Sequence, residues 1–388
     1  MLGLPMPSDP WLSGPCYDLG QQEKSARLSE RLAELTRHHA NRCSGYRRWL
    51  SFRCGSRRAE GIGVGSGGAG DSPDAYPMAP PLSVSAFKHE RLVSVDEDQI
   101  AVQLNSSGTT GQSPSRIFLD QPTARAQSAA MNRIVESFVG PGRFPLLVLD
   151  HPGILRDRSA YNARVAAILG FQRFGRPVIF AFADDSWRVD TDGLRQFEAL
   201  IAHGVGLVVG MTSIVWLKFL QGLHPSSLQL QLKNAVLFHG GGWKRLQHQA
   251  VSRREFNAGL QQHFGIQRIH NYYGMIEQVG SIFVECLEGH FHAPSFADVV
   301  VRDPTTLRPQ AVGTRGLIQV LSAIPASYPG HSLLTGDIGT IYGYDDCPCG
   351  RRGVYFSVQG RVETLEPRGC SDVTMIDAHD DYRQTVAS

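Results

Sequence analysis

Four short apolar runs stand out along the middle of the chain: FPLLVLD (144–150), RPVIFAFAD (176–184), GVGLVVG (204–210) and NAVLFHGGG (234–242). Their length and continuity predict strands. Between and around them, at 123–138, 159–173, 191–203 and 213–222, apolar positions recur at helical spacing. Strand and helix in alternation predict an α/β layer with mainly parallel pairing. After Gly289 the pattern turns strand- and turn-rich, which predicts a β subdomain. Residues 20–60 read as helical and basic, with Leu28, Leu32 and Leu35 on one face. The stretch GIGVGSGGAGDSPDAYPMAPP (61–81) reads as a loop or linker. The most apolar segment, GVGLVVGMTSIVWLKFLQGL (204–223), is interrupted by Lys218, Thr212, Ser213 and glycines. It predicts a buried strand turning into a helix rather than a membrane span.

Composition narrows the functional classes. The 388 residues suit one large domain or two smaller ones, and 42% hydrophobic residues provide material for a core. A formal charge of +2, from 38 basic and 36 acidic residues, gives no attraction to nucleic acid or to a membrane surface. The N-terminus lacks the basic start and apolar run of a secretory signal. Seven cysteines, an odd number in a long chain, argue against a disulfide framework and for a reducing cytoplasm. Free thiols are then available as metal ligands or nucleophiles.

Two polar segments carry candidate chemistry. In NSSGTTGQSPSR (105–116), Gly108 and Gly111 allow close backbone approach, and Ser106, Ser107, Thr109 and Thr110 add hydroxyl donors. Such a segment is either a flexible polar turn or a loop that wraps phosphate oxygens. It lacks the Gly-Lys-Ser/Thr ending of a P-loop. The second is CPCGR (347–351), in which Cys347 and Cys349 form a ligand knuckle, taken with Cys286 and His292 of ECLEGHFH (285–292). Either these are two thiols in a polar turn plus a buried cysteine, or they are four ligands for a tetrahedral Zn²⁺. His290 is the alternative to His292.

The order of residues in SSGTTG resembles the phosphate loop of the adenylate-forming (acyl-activating) superfamily, with the usual Pro-Lys replaced by Ser113-Pro114-Ser115-Arg116. Four further segments follow in that superfamily's order. FHGGGWK (238–244) resembles the strand end that lines the adenine pocket, with Gly240, Gly241 and Gly242 and then Lys244. NYYGMIEQ (271–278) resembles Tyr-Gly-x-Thr-Glu, with Ile276 in place of the Thr. The resemblance implies that Tyr272, Tyr273 and Gly274 border the nucleotide and that Glu277 holds Mg²⁺. LLTGDIGTIY (333–342) resembles the segment whose Asp, here Asp337, grips the ribose. GRVETLEPRG (360–369) resembles the hinge, with Arg361 near the ribose. The implied fold is the superfamily's large N-terminal domain, α/β layers plus a β subdomain. The implied reaction is attack of a carboxylate on the α-phosphorus of ATP, giving an acyl-adenylate and pyrophosphate. A magnesium ion and donors held against developing charge serve that step.

The end of the sequence narrows the resemblance. Residues 370–388 are too few for the mobile C-terminal domain of roughly a hundred residues found in most of the superfamily. Cys370 follows Arg368-Gly369 directly. This is similar to the acyl-protein synthetase of the bacterial bioluminescence fatty-acid reductase, whose tail cysteine takes the acyl group as a thioester. PPLSVSAFK (80–88), GGGWK (240–244), DPTTLRPQAVGTRGL (303–317) and ASYPG (326–330) resemble the same family. A thiolate beside Arg368 suits that role; the alternative is a passive cysteine in a frayed tail. The cysteine and histidine pattern instead resembles phenylacetate-CoA-ligase-like members, which bind zinc there. The expected organisation is a helical region and linker (1–80), an adenylation core (81–359) and a short tail (360–388). The expected acceptor is a reductase, a carrier protein, an amine or coenzyme A. Competing expectations are an aryl- or acyl-CoA ligase and a nucleotide-binding subunit without catalysis.

Overall fold

The computed structural model describes residues 11–12, 14–54, 76, 79–106, 114–155, 163–223 and 228–361. Its strands, in chain order, are β1 (Leu82–Ser83), β2 (Ile100–Asn105), β3 (Arg116–Asp120), β4 (Phe144–Val148), β5 (Gly175–Phe180), β6 (Gly206–Met211), β7 (Ala235–Gly240), β8 (Arg268–Tyr273), β9 (Phe283–Glu285), β10 (Phe291–His292), β11 (Ala297–Arg302), β12 (Arg315–Ser322), β13 (Ser332–Tyr344) and β14 (Val354–Arg361). Contacts divide the chain into two compact units. One comprises 1–103, 115–127 and 292–388; the other comprises 104–114 and 128–291.

The unit formed by 104–114 and 128–291 is the α/β layer that the alternation predicts. β5, β4, β6, β7 and β8 lie side by side in that order, all parallel, and β9 closes the row antiparallel to β8. Parallel strands are covered on both faces by their crossover helices, so their sequences are continuously apolar rather than alternating. β7 is buried at all six positions and β6 at five of six. The helices Ala163–Gln172 and Thr191–Leu200 follow β4 and β5. The segment after β6 is helical, as expected, but Val215–Leu220 winds as a π-helix. Val215, Trp216, Phe219 and Leu220 turn into a core shared with Phe256, Leu260 and Phe264 of the helix Arg253–Phe264. That helix is absent from the sequence expectation. Its charged face hides a thin apolar stripe, yet it has an ordinary start and stop: Ser252 accepts from the Glu255 amide, and Gly265 ends it at φ +73°.

In the other unit, β11, β12, β13 and β14 form an antiparallel meander, with β1 parallel to β13. The helix Gln21–Arg42 belongs to this unit, and Leu28, Leu32 and Leu35 are fully buried. It is not merely a basic, solvated face. Lys24 is 1% exposed, and its Nζ lies 3.0 Å from Asp298 on β11. Asp298 also accepts hydrogen bonds from Gln21 and from the Tyr76 hydroxyl. A buried lysine is tolerated only with such a partner, and removing one member of the pair costs about 3–5 kcal/mol. Further along, His39 and His331 stack at 5.0 Å with neither ring exposed. Ser94 and the Pro325 carbonyl bond to His39, while Thr36 bonds to His331.

These burials make a pH prediction. Burial, and after it neighbouring histidines or arginines, hold His39, His239 and His331 below the ordinary imidazole range, the latter two at about 3. Above pH ~6.5 each is neutral whether folded or unfolded and has no effect. Below it the unfolded chain binds protons that the folded chain refuses, so stability falls. Urea titrations should lose about 3 kcal/mol between pH ~6.5 and ~5.5, roughly one per histidine. Stability that holds level or rises over that interval contradicts the assignment.

Candidate active site and cysteine-histidine centre

The carboxyl end of β7 is where the glycine-rich segment begins. β7 and β8 are in parallel register, with Gly240 opposite Tyr272. A Cβ on Gly240 would stand 2.6 Å from the Tyr272 ring and 2.9 Å from its carbonyl oxygen. No L side chain fits, so glycine here is required for the two strands to approach. Gly241 and Gly242 then carry the chain out of the sheet at φ +82° and +56° and are exposed. The turn is fixed from below. Thr212 Oγ1 donates to the Gly240 carbonyl at 3.1 Å and lies 3.0 Å from His239 Nδ1. A hydroxyl has one proton, so with it committed to Gly240 the histidine donates through Nδ1. His239, buried against Phe256 at 4.5 Å, thus holds the strand end from within the core.

On β8, Tyr272 is half-buried and packs against Phe171. Tyr273, also half-buried, packs against Phe283 and Phe291. Gly274 is exposed beyond it, and a single 3-10 turn, Ile276–Gln278, carries Glu277. The buried Gln278 anchors that turn, leaving Glu277 at intermediate exposure. Gly240, Gly241, Gly242, Tyr272, Tyr273 and Gly274 therefore stand at two adjacent strand ends, and Glu277 lies on the turn that follows β8. Lys244 opens the short stretch Lys244–Gln249, and its side chain lies outside the described residues.

In the β-rich unit, Asp337 and Arg361 stand opposite each other on β13 and β14. Arg361 Nε lies 3.7 Å from Asp337 Oδ1, and the arginine is 72% exposed. A loose exposed pair of this kind contributes about 0–1 kcal/mol and is easily redirected to a ligand. Thr335 Oγ1 accepts from the Asp337 amide and donates to the Ile318 carbonyl, fixing the backbone that presents the aspartate. Ser106 follows directly on β2; Ser107, Gly108, Thr109, Thr110 and Gly111 lie outside the described residues, as does Cys370.

Cys286, His292, Cys347 and Cys349 converge. One ligand atom from each lies within 4.8 Å of all the others. Cys349 Sγ is 3.3 Å from His292 Nε2. Two tight turns present the thiols: Gly289 donates to the Cys286 carbonyl and Gly350 to that of Cys347, both glycines at positive φ. His290 gives its carbonyl to the Cys286 amide, and His292 is the histidine in the cluster. Tyr355 stacks on the His292 ring, and Tyr17 meets it edge-on. Cys16, Cys43, Cys286, Cys347 and Cys349 are free thiols. Around a tetrahedral zinc, sulfurs at about 2.3 Å from the metal stand about 3.8 Å apart, so the donor set, spacing and burial fit such an ion.

Asp150, Arg164 and Thr212 escaped the sequence reading as site residues. Asp150 ends the β4 run, and Arg164 binds it through two nitrogens, each at 2.6 Å. No spacing rule joins positions so placed; only the acidic residue at the end of a parallel strand was a signal.

Among the described residues no helix is long and apolar enough to cross a membrane. The fold is similar to that of 2-hydroxyisobutyryl-CoA ligase in an open conformation, with a TM-score of 0.68 at 16% identity over 91% of this chain and 78% of that one. The same enzyme in its postadenylation state gives a TM-score of 0.67 at 16% identity, over 91% and 71%. Two curated relatives are named long-chain-fatty-acid–luciferin-component ligase. The one from Vibrio harveyi is 23% identical over 78% of this chain and 79% of its own length. The one from Aliivibrio fischeri is 25% identical over 77% of each. The family model described as acyl-protein synthetase, LuxE, matches residues 8–378, nearly the whole sequence. The chain belongs to the LuxE acyl-protein synthetase family, ligases built on the adenylate-forming fold.

Proposed function

We propose that the chain couples ATP to a carboxylic acid in two steps and that Cys370 is the covalent way-station. In the first, an oxygen of the acid attacks the α-phosphorus, the bond to pyrophosphate breaks and an acyl-adenylate forms. Ser106 to Gly111 wrap the phosphates, Gly240–Gly242 and Tyr272–Gly274 border the adenine, Asp337 and Arg361 hold the ribose, and Lys244 meets the acid or the phosphates. Glu277 would hold the magnesium, whose role is to neutralise phosphate charge. In the second step the Cys370 thiolate attacks the acyl carbon and AMP leaves. The thioester then passes the acyl group to a partner: a reductase, a carrier protein or an amine. The division into an adenylation core (81–359) and a tail that carries the thiol (360–388) belongs to this reading.

The observation that carries it is the close approach of β7 and β8, which presents a glycine turn, two tyrosines and a carboxylate at the carboxyl ends of parallel strands. Ligands gather there in open α/β sheets. A second reading, direct transfer to coenzyme A, draws support from the Cys/His cluster, a feature shared with phenylacetate-CoA-ligase-like proteins. The two differ in where the acyl group rests. With ATP, magnesium and an acid, wild type should gain the acyl mass in intact-protein mass spectrometry. Cys370→Ser should release pyrophosphate yet gain none. Free acyl-CoA with an unmodified protein supports the second reading, and a stable adduct on Cys370→Ser overturns the first.

The cluster of Cys286, His292, Cys347 and Cys349 holds zinc as a structural ion, since four protein donors leave no open position for chemistry. Purified protein should contain one zinc per chain by elemental analysis. Cys347→Ser should lose the metal and melt several degrees lower. Metal-free wild type with an unchanged melting point refutes the assignment.

A further inference from the structure

The glycine turn after β7 depends on its neighbours for order. A Cβ on Gly242 would meet nothing within 4 Å, so the outer half of the turn stands in open space. Glycine gives up more conformational freedom on ordering than any other residue, and Gly241 and Gly242 are two in succession at positive φ. The restraint comes from β6. Gly240, the last residue of β7, lies opposite Met211 in parallel register, and Thr212 follows Met211 directly. A Cβ on Gly241 would stand 2.1 Å from Met211 Cε, so the methionine side chain lies across the turn. Thr212 Oγ1 lies 3.1 Å from the Gly240 carbonyl, the group from which the turn departs.

The protons available decide which way these bonds run. A carbonyl only accepts, so the Thr212 hydroxyl donates to Gly240 and its single proton is committed. His239 Nδ1, 3.0 Å from the same hydroxyl oxygen, can then only donate to it. Burial, and after it His270 and Arg253, hold the imidazole at about 3, so the ring is neutral and its one proton sits on Nδ1. Phe256 covers the ring at 4.5 Å, and Thr212 and His239 are 6% and 5% exposed. With water kept from the hydroxyl, the threonine has one orientation that satisfies both partners. The result is a relay from His239 through Thr212 to the Gly240 carbonyl, built inside the core beneath the turn.

We infer that Thr212 and His239 are positioning residues for the nucleotide: their relay holds the Gly240–Gly242 turn in its binding shape before ATP arrives. The inference rests on the proposed adenylation and names residues that serve its nucleotide site. A turn ordered in advance spares the ligand the entropy of ordering it. Without the relay, binding itself must order the turn, which weakens ATP in the ground state and the transition state alike. Such a loss raises KM and leaves kcat nearly unchanged. Because the turn is assigned to adenine, the KM for the acid should not follow.

Magnesium-dependent ATP–pyrophosphate exchange tests this, run with whichever straight-chain fatty acid from butyrate to palmitate exchanges fastest in wild type. Thr212→Val keeps the shape and removes the hydroxyl. It should raise the KM for ATP about five- to tenfold, the worth of one hydrogen bond, with kcat and the KM for the acid within about twofold of wild type. Thr212→Ser, which keeps the donor, should recover most of the affinity. At His239 two amides separate position from polarity. The Asn amide stands where Nδ1 stands and can donate to Thr212, whereas the Gln amide stands nearer Nε2 and cannot. His239→Asn should therefore stay close to wild type, and His239→Gln should follow Thr212→Val. Should Thr212→Val fail to fold, the two His239 variants carry the test. An unchanged KM for ATP in Thr212→Val, or an equal rise in both KM values, overturns the inference and leaves adenylation standing. So do His239→Asn and His239→Gln that behave alike, whether in KM or in failing to fold. Wild type that exchanges with none of the acids overturns adenylation and this inference together.

Discussion

The contact between β7 and β8 at Gly240 is the constraint on which the candidate site depends. Two parallel strands can bring the Tyr272 ring over the neighbouring backbone only where no Cβ intervenes. From that one contact the rest of the strand end follows. Tyr272 gains a fixed wall, the glycine turn is forced outwards, and the Gly240 carbonyl finds Thr212 and, behind it, His239. A buried imidazole that stays neutral is suited to this task, because it adds a donor without adding a charge to the core. The side chains with candidate chemistry are therefore not strained into place. They stand on strand ends whose spacing is set by the packing beneath them.

A different device shapes the β-rich unit. There the sheet is an antiparallel meander with short turns, and buried polar groups specify its register and partners. Lys24 ties the N-terminal helix to Asp298, and His39 and His331 are satisfied in the interior by hydroxyls and carbonyls. Each of these groups is costly unless paired, so the helix cannot slide or detach without orphaning them. The proposed zinc would supply folding free energy to the turn that carries Cys347 and Cys349.

Much of this architecture was legible in the sequence, for physical reasons. Parallel strands must be apolar throughout, so β4, β6 and β7 announce themselves as unbroken runs. The Gly240–Gly242 segment, the Cys347–Cys349 knuckle and Asp337 are visible because backbone geometry or ligand chemistry admits few residue types at those positions. The helix Arg253–Phe264 was hidden by its charged face, although Ser252 and Gly265 marked its ends. The buried role of Lys24 was hidden because a lysine on an amphipathic helix ordinarily faces water. The Asp150–Arg164 pair is a product of tertiary packing, and no local pattern encodes it.

The central claim is that the carboxyl ends of β7 and β8 receive an acyl-adenylate. A crystal structure of the protein with a non-hydrolysable acyl-sulfamoyl adenosine tests it most directly. The account predicts adenine density against Gly240–Gly242 and Tyr273, with the acyl group directed past Tyr272. Density elsewhere, or a strand end left vacant at saturating analogue, would contradict it.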